Sequence, residues 1–159
     1  MRIELRVNGE AIAADVEDRM TLGDFLRERL HLTGTHLACE HGVCGACTVL
    51  LDDEPVRSCI TLAAAVDGRQ VRTIEGFEDD RAMQVIRECF SEAHGLQCGY
   101  CTPGMVLAAV DLLSENPDPT DREIREGLEG NICRCTGYQN IVKSVSHAAG
   151  LMKEAEAAR

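Results

Sequence analysis

The chain has 159 residues, 45% of them hydrophobic and 3% aromatic, with no Trp, so it has enough Leu, Ile, Val, Ala and Met for a packed core and is not disordered. Its net charge of -11 excludes a nucleic-acid or anionic-membrane ligand as the natural partner, because an acidic surface repels phosphate. No apolar run approaches the roughly 20 residues of a transmembrane helix, and the first residues lack a signal-peptide core, so a cytoplasmic protein is expected. There thiols stay reduced, so nine cysteines speak for metal binding rather than disulfides.

In chain order, "RIELRV" over residues 2–7 alternates with period two and predicts a strand. "NGE" is a tight-turn signal and "AIAADV" the returning strand. Thr21 with Asp24 predicts a helix cap, with Leu22, Phe25, Leu26 and Leu30 as a short helical stripe. "CTVLL", a "DDE" turn and "PVRSC" predict a second hairpin, the acidic turn being solvated, and "RQVRTI" one more strand. Residues 1–76 therefore read as a small α+β unit. From "EGFEDD" onward the period becomes helical. Ala82, Met83, Ile86, Cys89 and Phe90 form one stripe, and "TPGMVLAAVDLL" forms a buried helix with Pro103 near its start. Thr120 with Glu123 opens a third helix, and "GYQNIVKSVSHAAGLM" a fourth that includes Tyr138. Residues 77–159 read as a four-helix unit with a fraying tail, "KEAEAAR".

Eight of the cysteines form two groups of four. Cys39, Cys44, Cys47 and Cys59 follow C-x4-C-x2-C-x11-C, with Gly42 and Gly45 between the first three. This is the plant-type [2Fe–2S] spacing, whereas structural zinc sites usually pair two C-x2-C knuckles. Cys98 and Cys101 precede the buried helix, and Cys133 and Cys135 precede the last one. Two helix N-termini would then face one anionic cluster and raise its reduction potential. A zinc site stays open for this group alone. Cys89 shares the stripe of Ile86 and Phe90 and reads as a buried structural thiol. His36, His41 and His94 read as surface or supporting residues. Arg134, between two ligands, either stabilises a reduced cluster or pairs with an acidic neighbour.

The two motifs, "CEHGVCGACTV…C" and "QCGYCTPGMV…NICRCTGY", resemble the iron–sulfur small subunit of the molybdenum hydroxylases, the family of xanthine dehydrogenase, aldehyde oxidoreductase and aerobic carbon monoxide dehydrogenase. The resemblance covers nearly the whole chain. It implies an α+β protein with an N-terminal β-grasp plant-type ferredoxin domain and a C-terminal four-helix-bundle domain, each with one [2Fe–2S] cluster. It implies no catalytic residue in this chain. Gln97 matches the glutamine that hydrogen-bonds the pterin, and Cys135 the ligand nearest the pterin. It further implies a large molybdopterin-binding subunit and a medium FAD-binding subunit as partners, in a dimer of heterotrimers, with electrons passing from molybdenum through both clusters to FAD. "EHG" after Cys39 differs from the "DTS"-like stretch of carbon monoxide dehydrogenases and points to an organic substrate. A free-standing two-cluster ferredoxin and a zinc-stapled interaction module are the competing expectations.

Overall fold

The computed structural model describes residues 1–158. Strand β1 (Arg2–Val7) turns at Asn8–Gly9 into β2 (Glu10–Asp15). Both turn residues have positive φ, the conformation a two-residue hairpin with native twist requires. Strands β3 (Thr48–Leu51) and β4 (Glu54–Arg57) form the second hairpin, and β5 (Gln70–Arg72) lies between the two. Among the described residues the sheet order is β2-β1-β5-β3-β4, with β1 and β5 parallel and the other pairs antiparallel.

The helix predicted after Thr21 forms differently from its pattern. A single α turn, α1 (Leu22–Asp24), runs into a π turn at Phe25–Arg29. Thr21 caps it by accepting from the Asp24 N–H at 3.0 Å, and its hydroxyl donates to the Asp24 carboxylate at 2.6 Å. The "DDE" turn is exposed, as expected, and its first residue is also tied to a neighbouring segment of the chain. Asp52 and Asp53 both have positive φ, and the Asp52 carboxylate accepts from Arg69 Nε at 2.7 Å and from the Gln70 N–H at 2.8 Å. These bonds hold its pKa below the usual carboxylate range, the Gln70 amide contributing most.

A 3-10 turn at Ile74–Phe77 links the sheet to the helices. There Arg72 stacks over the Phe77 ring, 3.4 Å from its centroid, and bonds Asp80 at 3.2 Å. Four helices follow: α2 (Arg81–Glu92), α3 (Thr102–Glu115), α4 (Asp121–Gly127) and α5 (Gln139–Ala157). Thr120 and Glu123 form the reciprocal capping box that their spacing predicts. The tail expected to fray is helical as far as Ala157, with Lys153 paired to Asp118, while Arg159 lies outside the described residues. No helix among the described residues is long and apolar enough to cross a membrane.

The described residues form two apolar cores. One gathers Ile3, Leu5, Val7, Phe25, Leu26, Val49, Leu51 and Val71 behind the sheet. The other gathers Met83, Ile86, Phe90, Met105, Leu107, Ile124, Ile141 and Val145 among the helices. All four residues of β3 are buried. Leu50 belongs to the helical core, whereas Val49 and Leu51 belong to the sheet core. Period-two alternation thus makes one strand a wall of both cores.

Candidate metal centres

The first cysteine group lies on the loop before β3 and at the end of β4. Glu40, Gly42 and Gly45 all have positive φ, so the loop curls. Curling turns backbone N–H groups toward the sulfurs. The Cys44 N–H donates to Cys39 Sγ at 3.4 Å. Backbone donors, His41 first and then Cys44, bring the Cys39 thiol down to about 6. Cys47 and Cys59 are buried, and burial pushes Cys59 up to about 11. The thiols meet in pairs, Cys39 with Cys44 and Cys59 with Cys47.

The second group pairs in the same way, Cys101 with Cys133 and Cys98 with Cys135. Cys101 is the N-cap residue of α3, as the spacing predicts. Burial pushes its thiol up to about 12, with the Cys133 thiol adding to the shift. Burial also raises Cys133, but the Thr136 hydroxyl, 3.2 Å from its sulfur, and backbone donors outweigh it, and the net shift is downward. Cys135 is raised, chiefly by its hydrogen bond with Cys98.

The last helix departs from expectation. It starts at Gln139, and Gly137 and Tyr138 both have positive φ, so a short loop separates Cys135 from the helix. Tyr138 serves the site from that loop, its hydroxyl accepting from the Cys133 N–H at 3.0 Å.

Four thiols in each group, reached by amide and hydroxyl donors, suit a cluster whose two irons take two thiolates each, and the residues fit a [2Fe–2S] group in both places. Cys89 is fully buried in the helical core, where burial raises its thiol. His41 bonds the Cys39 carbonyl, while His36 stacks on Tyr100 with ring centroids 4.6 Å apart. Arg134 is exposed and forms no ion pair among the described residues. Gln97 is exposed and precedes Cys98 in the chain, and Cys98 and Cys135 are the two exposed cysteines of this group.

The two loops touch. The Ile132 N–H donates to the Cys44 carbonyl at 2.8 Å, joining a residue of the first group to the neighbour of Cys133. Gly45 and Gly104 make this approach possible. A Cβ on Gly45 would stand 2.5 Å from the Gly130 oxygen, and one on Gly104 would strike the Gly45 oxygen.

Comparison with known proteins decides what these paired sites belong to. A family described as "2Fe-2S iron-sulfur cluster binding domain" matches residues 5–74, and one described as "[2Fe-2S] binding domain" matches residues 73–146. The chain is 51% identical to the nicotine 6-hydroxylase small subunit of Paenarthrobacter nicotinovorans, over 94% of this chain and 90% of that one. It is 49% identical to the caffeine dehydrogenase subunit gamma of Pseudomonas sp. (strain CBB1), over 97% and 96%. It belongs to the iron–sulfur small subunits of the molybdenum hydroxylases. A chain of quinoline 2-oxidoreductase from Pseudomonas putida 86 superimposes with a TM-score of 0.91 at 44% identity, covering 98% of each. This small subunit is thus an electron-transfer component of an oxidoreductase, an α+β protein with a ferredoxin-like first domain and a helical second one.

What sequence reasoning missed is the seam between the two sites. Arg57, Asn131 and Thr48 are bonded across it, between residues up to 74 apart in the chain. The available signal was a lone Asn two residues before Cys133.

Proposed function

We propose that this small subunit carries electrons within a three-subunit molybdenum hydroxylase, from molybdopterin in a large subunit to FAD in a medium subunit. Cys98, Cys101, Cys133 and Cys135 hold the cluster nearer molybdenum, and Cys39, Cys44, Cys47 and Cys59 the cluster nearer FAD. When bound, each cluster accepts and releases one electron. The observation that carries the reading is the pairing of two complete thiol sets in one chain with the direct Ile132–Cys44 backbone bond between them. The substrate site lies in the large subunit, and the chain itself has no catalytic residue.

The residues divide the work as follows. Gln97 offers an amide, and Cys135 an exposed sulfur, to the pterin of the large subunit. Exposed Leu96, Tyr100 and Ile132 around this group, and exposed Val43, Ile60 and Leu62 around the other, are the apolar faces that the two partners cover. The domains divide at 1–76 and 77–159, as a β-grasp sheet and a four-helix bundle. The complex is a cytoplasmic dimer of heterotrimers acting on an organic substrate. The names of the nicotine, caffeine and quinoline enzymes support an N-heterocycle.

The test is rapid mixing of the assembled complex with substrate. In Cys47→Ser, substrate still reduces molybdenum and the second cluster, but FAD stays oxidised. Normal FAD reduction in that variant refutes the order. A chain that purifies with both clusters but never with molybdenum or flavin subunits supports the free-standing ferredoxin instead.

A further inference from the structure

The seam between the two cysteine groups holds a cation without a counter-ion. Arg57 sits on β4, two residues before Cys59, and is half-buried. Its Nη1 donates to Thr48 Oγ1 at 2.7 Å, and its Nη2 to the Gly130 oxygen at 2.7 Å and Asn131 Oδ1 at 3.4 Å. Thr48 follows Cys47, and Asn131 stands two residues before Cys133. One guanidinium therefore grips the backbone and side chains adjoining ligands of both groups.

The grip is built, not incidental. Asn131 is 3% exposed and Thr48 2%. Asn131 Nδ2 donates to the Gly45 oxygen at 3.0 Å and to Thr48 Oγ1 at 3.3 Å, and Thr48 Oγ1 donates to the same Gly45 oxygen at 2.7 Å. In a chain with 27 acidic residues, no carboxylate pairs with Arg57 among the described residues. Neutral oxygens orient its charge, and no carboxylate compensates it.

We propose that Arg57 is the positioning residue shared by both clusters: it locks the two ligand loops together and its charge favours the reduced state of each. A cluster that gains one electron becomes one unit more negative, and a fixed cation beside it stabilises that form. The inference rests on the two ligand sets assigned above, and iron and sulfide content measured on every variant separates a failure of that assignment from a failure of this one.

The experiment is a reductive titration of the cluster-loaded protein with dithionite, following the paramagnetic signal of each cluster. Arg57→Gln should reduce the reduced-to-oxidised ratio of both clusters about tenfold at a fixed potential, a downward shift of about 59 mV for one electron. Arg57→Lys should restore most of it. Asn131→Asp sets a carboxylate against the guanidinium without removing it, and should lower both potentials too. If Arg57→Gln fails to load iron, Asn131→Asp decides the matter alone. With clusters loaded, unchanged potentials, or a shift confined to one cluster, overturn the proposal. A loss from Arg57→Gln that Arg57→Lys does not recover assigns the effect to packing and also overturns the role of charge.

Discussion

Gly45→Ala should damage the protein far more than its one added methyl group suggests. Gly45 has φ +74, a region that costs an L-residue about 1–2 kcal/mol. Gly68 has φ +75 and carries the same backbone cost, but a Cβ there meets nothing within 4 Å. At Gly45 the Cβ would stand 2.5 Å from the Gly130 oxygen and 2.7 Å from Asn131 Nδ2, so the two loops must part. Parting them weakens three bonds that cross the seam: Ile132 to the Cys44 oxygen, Asn131 to the Gly45 oxygen and Arg57 to the Gly130 oxygen. At about 1 kcal/mol each these contribute about 3 kcal/mol beyond the strain. For a chain of this size that difference is worth about 6–12 °C between the two variants. The assay is thermal unfolding of cluster-loaded Gly45→Ala and Gly68→Ala at one scan rate. Magnetic coupling between the reduced clusters, read by paramagnetic resonance, provides a second signal. Equal melting shifts with unaltered coupling would refute the argument that backbone contact at Gly45 holds the loops together.

Three further outcomes are expected. Cys101→Ser should remove the paramagnetic signal of the second cluster and leave the first, and loss of both would show that the first site depends on the second being filled. Cys89→Ser should keep full iron content yet lower stability by about 1–3 kcal/mol, since it places a more demanding hydroxyl in the helical core, and a loss of iron would make Cys89 a ligand. Ile60→Glu, at an exposed apolar position beside the first loop, should leave iron content unchanged and abolish co-purification with the flavin subunit, and retained binding would place that interface elsewhere.

Much of this architecture was legible locally. Period-two runs located the strands, Asn8–Gly9 their first turn, and Thr120 with Glu123 the start of α4. The cysteine spacings gathered the thiols that the fold pairs. Less was legible where one pattern serves two backbones. The stripe of Leu22, Phe25, Leu26 and Leu30 fits an α-helix and the observed π turn alike. Tyr138 fits the apolar face of α5 but lies outside it, because its positive φ lets the hydroxyl reach the Cys133 amide. Asp52 is the solvated turn residue that its pattern predicts, but its bonds to Arg69 and the Gln70 amide come from a distant segment and left no local trace. Arg57 and Asn131 left almost no local trace, because hydrogen bonds between distant segments have no sequence period.

The same long-range contacts explain why two cluster domains share one chain. Electron transfer weakens steeply with distance, so a relay works only if the spacing between its stops is fixed. A flexible linker would leave that spacing to the partners. Here β3 begins one residue after Cys47 and is a wall of both cores, with Val49 and Leu51 facing one and Leu50 the other. Helix α3 begins one residue after Cys101 and packs on β3, with Gly104 against the Gly45 oxygen. The candidate ligands Cys47 and Cys101 are thus anchored to two elements whose mutual packing is part of the hydrophobic core. Moving one site relative to the other would expose Leu50 and the first turns of α3, at about 1.5–3 kcal/mol for each large side chain uncovered. The distance between the clusters is therefore set by the same burial that stabilises the fold, and the polar seam of Arg57, Thr48 and Asn131 adds direction to what the apolar contact makes rigid.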